Sequence, residues 1–105
     1  AESAVSVVTL AELQAGVLAA VDTATRARRL AALDILSDIE VIPIDEDAAR
    51  AWAELRVHLA DRGRRLNVNH LWIAATALSR SMPVVTQGND FDPVNGVAGL
   101  SVIRV

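Results

Sequence analysis

The chain reads as an α/β fold, a three-layer arrangement in which a central parallel β-sheet is flanked by helices. Three observations lead there. Short β-branched runs alternate with stretches of helical period in the order β-α-α-β-α-α-β-β, and such alternation implies parallel strands joined by helical crossovers. Residues 71–78 carry apolar side chains on nearly every side, as a helix packed on most faces does. The turn before them, Asn67-Val-Asn-His70, is polar, so this buried helix is entered from an exposed end.

Taken in order, Ala4-Val-Ser-Val-Val8 is a β-branched run and predicts the first strand. Thr9-Leu-Ala-Glu12 follows as a capping-box pattern, with Thr9 capping a helix and Glu12 at its third position. Leu10, Leu13, Val17 and Ala20 recur at helical spacing, and Gly16 costs that helix only about 1 kcal/mol. A second, surface helix over residues 24–37 places Ala27, Leu30, Leu33 and Leu36 on one stripe, with Arg26, Arg28, Arg29 and Asp34 largely off it. Glu40-Val-Ile-Pro-Ile44 is the second strand, and Pro43 puts it near an edge or a strand end. Asp45, Glu46 and Asp47 open a third helix, where the dipole favours carboxylates. Its buried stripe is Ala48, Trp52, Leu55 and Leu59; it ends near Asp61, with Gly63 after the last turn. The apolar fourth helix stops ahead of Pro83, Val84-Val-Thr86 is the third strand, and residues 100–105 supply the last.

Length and composition set limits. A chain of 105 residues suits a single domain, and 52% apolar against 22% charged residues supplies a core. There is no cysteine, which excludes disulfides and thiolate metal sites and fits a reducing, cytoplasmic location. No apolar run approaches the roughly 20 residues of a bilayer span and no charged-then-apolar leader opens the chain, so a soluble protein without a membrane partner is expected. A net charge of −3 argues against a protein that coats nucleic acid indiscriminately. All ten basic residues are arginine, the better fork for phosphate.

In an open parallel sheet, ligands collect beyond the carboxyl ends of the strands. Glu12 stands after Val8 and Asp90 after Val85, each just past a predicted strand. His70 lies in the first turn of the apolar helix, where exposed N–H groups and the positive end of the dipole favour anions. Sharing one crevice, such carboxylates, without cysteine or paired histidines, suit a hard ion such as Mg²⁺ or Mn²⁺, whose chemistry serves phosphodiester hydrolysis. Plainer explanations stand beside each of these. Glu12 closes its capping box, Asp90 and Asp92 shape a turn in a Gly/Asn-rich loop, and Asn69 caps the fourth helix. Arg64 and Arg65, with Arg62, form a basic turn just ahead of the polar segment and are candidates for holding RNA, although a solvated turn explains them equally. Arg26, Arg28 and Arg29 read as a solvated helix face, His58 as a surface or partner contact, and Trp52 and Trp72 as core.

Three stretches then combine in order and spacing: Val7-Val-Thr-Leu-Ala-Glu-Leu13, Asn69-His-Leu-Trp-Ile-Ala-Ala-Thr-Ala-Leu78 and Pro83-Val-Val-Thr-Gln-Gly-Asn-Asp-Phe91. Together they resemble the PIN-domain ribonucleases of the VapC toxin type, mycobacterial members above all, over essentially the whole chain. The resemblance implies a PIN-like fold across residues 1–105 and a Mg²⁺- or Mn²⁺-dependent endoribonuclease acting on tRNA or rRNA. It also implies a toxin homodimer silenced by a cognate VapB-type antitoxin, the two forming a type II toxin–antitoxin system. On the matched positions, Glu12 corresponds to the glutamate of the Thr-x-x-Glu-Leu segment and Asp90 to an acid of the loop after the Val-Val-Thr strand. These two are the implied metal ligands, and His70 stands with them among the implied catalytic positions.

The family pattern is also broken. His70 occupies the place of an aspartate, and Gly88 a place where close relatives often carry another. Members begin with a strand ending in an Asp-Thr-Ser-like segment, the source of the first metal-binding aspartate and of the middle strand; nothing like it precedes Ala1. The expectation is a fragment with little nuclease activity, because an imidazole in place of a carboxylate lowers the negative charge that a hard cation needs. The competing expectation is a catalytically inactive PIN-like module that acts only by binding an antitoxin or another partner protein.

Overall fold

Ser6 both closes the first strand and starts the first helix. In the structure, a computed structural model that describes residues 3–105, its Oγ accepts the backbone N–H of Val8 at 3.1 Å. The chain therefore turns from strand β1 (Ala4–Ser6) into helix α1 (Val7–Ala19) two residues earlier than the β-branched run suggests. The expected Thr9–Glu12 box is not the cap: both residues lie inside α1, because a serine hydroxyl one turn earlier already satisfies the first exposed N–H. Two compact units are defined, one ending at Pro43 and one beginning at Ile44.

The first unit also holds α2 (Thr23–Asp34) and β2 (Glu40–Ile42). β1 and β2 pair in parallel, Ala4 with Glu40, Val5 with Val41 and Ser6 with Ile42. The two helices meet at Gly16, whose carbonyl accepts from the Arg29 guanidinium at 2.7 Å. The Arg29 stem passes 3.8 Å from where a Cβ on Gly16 would sit, an ordinary contact distance. No residue of α1 or α2 is buried: Leu10, Leu13 and Val17 are half-buried, and Leu18 is 82% exposed.

Asp22 caps α2 by accepting the Thr25 N–H at 2.7 Å and the Thr25 hydroxyl at 2.9 Å. The N–H first and the hydroxyl second hold its carboxyl below the usual carboxylate range. A depressed folded pKa gives stabilisation that is present above the unfolded value of about 3.9 and lost as pH falls through the lower folded value. Acidification through that window should therefore strip helical circular dichroism at 222 nm from the parent. In Asp22→Ala that step should be absent, the cap being gone at every pH, whereas Asp22→Asn keeps the cap without the titration.

The second unit starts with α3 (Glu46–Asp61), capped by Asp45 through the Ala48 N–H at 2.9 Å. It ends as the sequence predicts: Gly63 has φ +63°, its N–H donates to Ala60 O at 3.1 Å, and the Arg64 N–H donates to Leu59 O at 2.9 Å. This paired closure fixes where Arg64 and Arg65 leave the helix. α4 (Val68–Ser79) ends the same way, with Ser81 at φ 55° and the Met82 N–H on Ala77 O at 2.9 Å. Gly63→Ala should cost about 1 kcal/mol and Ser81→Gly should gain roughly 0.5–1 kcal/mol, opposite signs that urea unfolding will read. The Asp45 carboxylate at the start of α3 also lies 3.9 Å from the Arg80 guanidinium at the end of α4.

β3 (Val84–Thr86) and β4 (Val102–Arg104) form a second parallel pair, Val84 with Val102 and Thr86 with Arg104. The four strands among the described residues are each three residues long: β3 spans the predicted Val84–Thr86, and the other three are shorter than the runs that predict them. Leu55 and Leu59 of α3 pack with Leu71, Ala74 and Ala75 of α4, and Val84, Phe91, Val94, Val97 and Leu100 complete the core of this unit. Every residue from His70 to Ser79 is at least half-buried, which meets the expectation of a helix packed on most faces. Trp52 and Trp72 stack at 5.3 Å between ring centroids, partly buried against the same core.

Candidate functional site

The fourth helix is capped by Asn67, not by Asn69. Its side-chain oxygen accepts from the Asn69 N–H at 2.9 Å and the His70 N–H at 3.3 Å. His70 is thus the third helical residue, and its imidazole rests on the Phe91 ring with centroids 5.0 Å apart and planes tilted by 48°. Phe91 is buried in the core and directly follows Asp90. The ring pair therefore ties the start of α4 to the loop after β3, two segments the sequence singled out separately.

In that loop Asp90 is exposed. Gly88 donates its N–H to Thr86 Oγ1 at 3.4 Å, and a Cβ placed on it would stand 3.7 Å from Asp90 Oδ2. Because Gly88 is not in the left-handed region of the backbone, a side chain there is unstrained and would come up against the Asp90 carboxylate. Asp92 takes the structural role allowed for it, both oxygens accepting from Arg104 at 3.0 and 2.9 Å. Glu12 lies in the first unit, exposed on α1.

The second unit alone offers Asp90 and His70 toward a cation, and among the described residues no group of three or more histidines, aspartates or glutamates is placed to hold a metal ion. One carboxylate and one imidazole do not by themselves satisfy Mg²⁺, which prefers several charged or carbonyl oxygens.

Arg64 and Arg65 are exposed and line a cavity of about 680 Å³ between the end of α3 and the start of α4. Trp52 and Arg56 line it too. Arg56 was missed from sequence, although Trp52, Arg56, Leu59 and Gly63 recur at the spacing of one helical stripe. His58 is half-buried near the end of α3, its Nδ1 3.1 Å from the Arg62 guanidinium, a local contact as expected.

Two parallel strand pairs, the first joined through a pair of helices, and an apolar helix entered at a polar turn define this as an α/β protein. The PIN domain family model matches residues 1–97, and the chain belongs to that family. It is 57% identical to Ribonuclease VapC5 of Mycobacterium tuberculosis over 102 residues, which are 97% of this chain and 76% of that protein. To Ribonuclease VapC4 of the same organism it is 39% identical over 101 residues, 96% of this chain and 78% of the relative. Among solved structures, VapBC-5 of M. tuberculosis, a member of the VapBC family of toxin–antitoxin systems, matches at a TM-score of 0.94 and 57% identity, covering 97% of this chain and 81% of that one. VapBC2 of Rickettsia felis, bound to a DNA fragment from its promoter, matches at a TM-score of 0.80 and 29% identity, covering 96% and 73%. The α/β expectation and the resemblance to VapC proteins are both borne out. PIN-domain ribonucleases are in general dependent on divalent metal. Among the described residues no helix is long and apolar enough to cross a membrane.

Proposed function

We propose that this protein is the toxin of a type II toxin–antitoxin pair, a cytoplasmic endoribonuclease that cuts tRNA or rRNA with Mg²⁺ or Mn²⁺. Its cognate VapB-type antitoxin silences it, and it works as a homodimer. The observation that carries the reading is the likeness to VapBC-5, 57% in sequence with a TM-score of 0.94 over nearly the whole chain. Glu12 and Asp90 are the residues that would hold the metal, assigned by their match to the family's motifs. His70, against Phe91 and so beside the Asp90 loop, stands in the place of a further acid. A divalent ion bound there would supply charge neutralisation at the phosphodiester. Arg64 and Arg65 would hold backbone phosphates and set the register of the strand. The half-buried and exposed apolar residues along α1 and α2 suit an antitoxin helix laid across them.

A second reading, a PIN-like module that only binds its partner, is favoured by His70 and Gly88 standing where carboxylates would raise metal affinity. The two readings separate on a calorimetric titration with Mn²⁺ run beside a cleavage assay on total tRNA and rRNA. Cleavage that EDTA stops, and that Glu12→Gln and Asp90→Asn each reduce together with the Mn²⁺ heat, supports the ribonuclease. No cleavage and no Mn²⁺ heat, with antitoxin still bound, leaves the binding module.

A further inference from the structure

We propose that the hollow between the end of α3 and the start of α4 is a subsite for single-stranded RNA. Arg56, Arg64 and Arg65 take backbone phosphates there, and Trp52 supplies an aromatic surface for an unpaired base. The proposal rests on the ribonuclease reading and adds to it a place for the strand and two residues, Arg56 and Trp52.

The partners of the ten arginines carry the argument. Seven are engaged within the protein: Arg50, Arg80 and Arg104 with carboxylates, Arg26 and Arg29 with backbone carbonyls, Arg28 with the Thr25 hydroxyl and Arg62 with His58. The guanidinium groups of the remaining three, Arg56, Arg64 and Arg65, have no hydrogen-bond or ion-pair partner among the described residues, and all three residues line the same cavity. Three like charges around one hollow repel one another, and an anion entering it relieves that repulsion. They gather in a chain whose net charge is −3, so the basic patch is local. Two of them leave the closing turn of α3 at a fixed position, since Gly63 and Arg64 are both bonded back to the helix.

The rest of the lining decides what kind of anion. Trp52 stands one turn before Arg56 on α3, and its ring is stacked on Trp72 at 5.3 Å. Its indole Nε1 is buried without a partner, so packing alone sets the ring, and no hydrogen bond need break when a base arrives. The cavity, about 680 Å³ and walled elsewhere by Leu59, Ala60 and Leu66, is of a size for small ligands, which at this composition means a nucleotide unit. Phosphate-tracking cations beside an aromatic ring form the usual binding surface for unpaired nucleic acid. The cavity also runs to Val68 in the first turn of α4, the turn that carries His70, so a strand seated here continues toward the candidate site.

The test is binding, kept apart from cleavage. Labelled ten-nucleotide oligo(U) and oligo(A) are titrated in EDTA over a range of salt, with anisotropy and tryptophan fluorescence as readouts. For single strands the salt slope, log K against log salt, falls by about 0.7 for each phosphate contact removed. The triple variant Arg56→Ala, Arg64→Ala, Arg65→Ala should therefore lose about 2 units of slope. Arg50→Ala should lose none. Trp52→Phe should bind within about twofold, and Trp52→Leu about five- to a hundredfold more weakly. The arginines are exposed, so an unchanged circular dichroism spectrum keeps their test valid even where a Trp52 variant fails to fold. An unchanged slope and affinity in the triple variant overturns the proposal. So does a poly-glutamate peptide that binds more tightly than RNA and is the only ligand the triple variant loses, which would assign the hollow to an acidic protein segment. RNA held here yet never cut in Mn²⁺ leaves the subsite standing and counts against the ribonuclease reading alone.

Discussion

His70→Asp combined with Gly88→Asp is expected to raise Mn²⁺ affinity, and with it RNA cleavage, by at least about tenfold over the parent. The size follows from charge: one carboxylate at about 4 Å from a unit charge contributes roughly 1–4 kcal/mol between the water-like and protein-surface limits, and the ion is divalent. The geometry favours the double change over either alone. A side chain on Gly88 starts 3.7 Å from Asp90 Oδ2 in unstrained backbone, so an aspartate there sets two carboxylates side by side. Without metal they repel, and the double variant should be less stable than the parent. With Mn²⁺ at 100 times the dissociation constant the loss should be recovered by about 2.7 kcal/mol. Melting curves with and without Mn²⁺, beside calorimetry and a cleavage assay, measure this. A double variant whose melting temperature ignores Mn²⁺ would sink both the assignment of Asp90 and the proposal that His70 and Gly88 weaken metal binding.

How much of this was legible in the residues varies with what the residues do. The order of elements was, because β-branched runs and helical stripes are set by burial, and Leu55, Leu59, Leu71 and Ala74 lie where the stripes put them. The starts of α1 and α4 were not, although Asp45, Glu46 and Asp47 marked that of α3. Ser6, itself buried, and Asn67, exposed, cap through side-chain oxygens, and hydrophobic periodicity carries no signal for a capping oxygen. Thr9 and Asn69 each sit nearer the apolar run, which is why the sequence points to them instead. The loop after β3 was legible as chemistry and not as geometry: nothing in the letters says that Phe91 turns inward to meet His70 while Asp90 turns out. Arg56 was hidden for a related reason. An arginine on a helix stripe reads as solvated until the turn after the helix brings Arg64 and Arg65 back beside it.

Phe91→Ala should be among the most destabilising single changes in the chain, and it should also undo the placement of His70. Phe91 is 7% exposed within the core of the second unit, and truncating such a ring to alanine costs about 3–5 kcal/mol. That is a large share of the roughly 5–15 kcal/mol that holds a domain together. The same ring is the surface on which the imidazole rests, so one substitution acts on stability and on the site at once. Phe91→Leu separates the two. It keeps most of the buried apolar volume and should cost no more than about 1–2 kcal/mol, yet it removes the aromatic face. In a folded Phe91→Leu protein the ring-current shift on the His70 side-chain protons should vanish, while urea unfolding moves only modestly. A Phe91→Ala protein as stable as the parent would contradict the packing, and His70 proton shifts unchanged by Phe91→Leu would contradict the ring pair that joins α4 to the Asp90 loop.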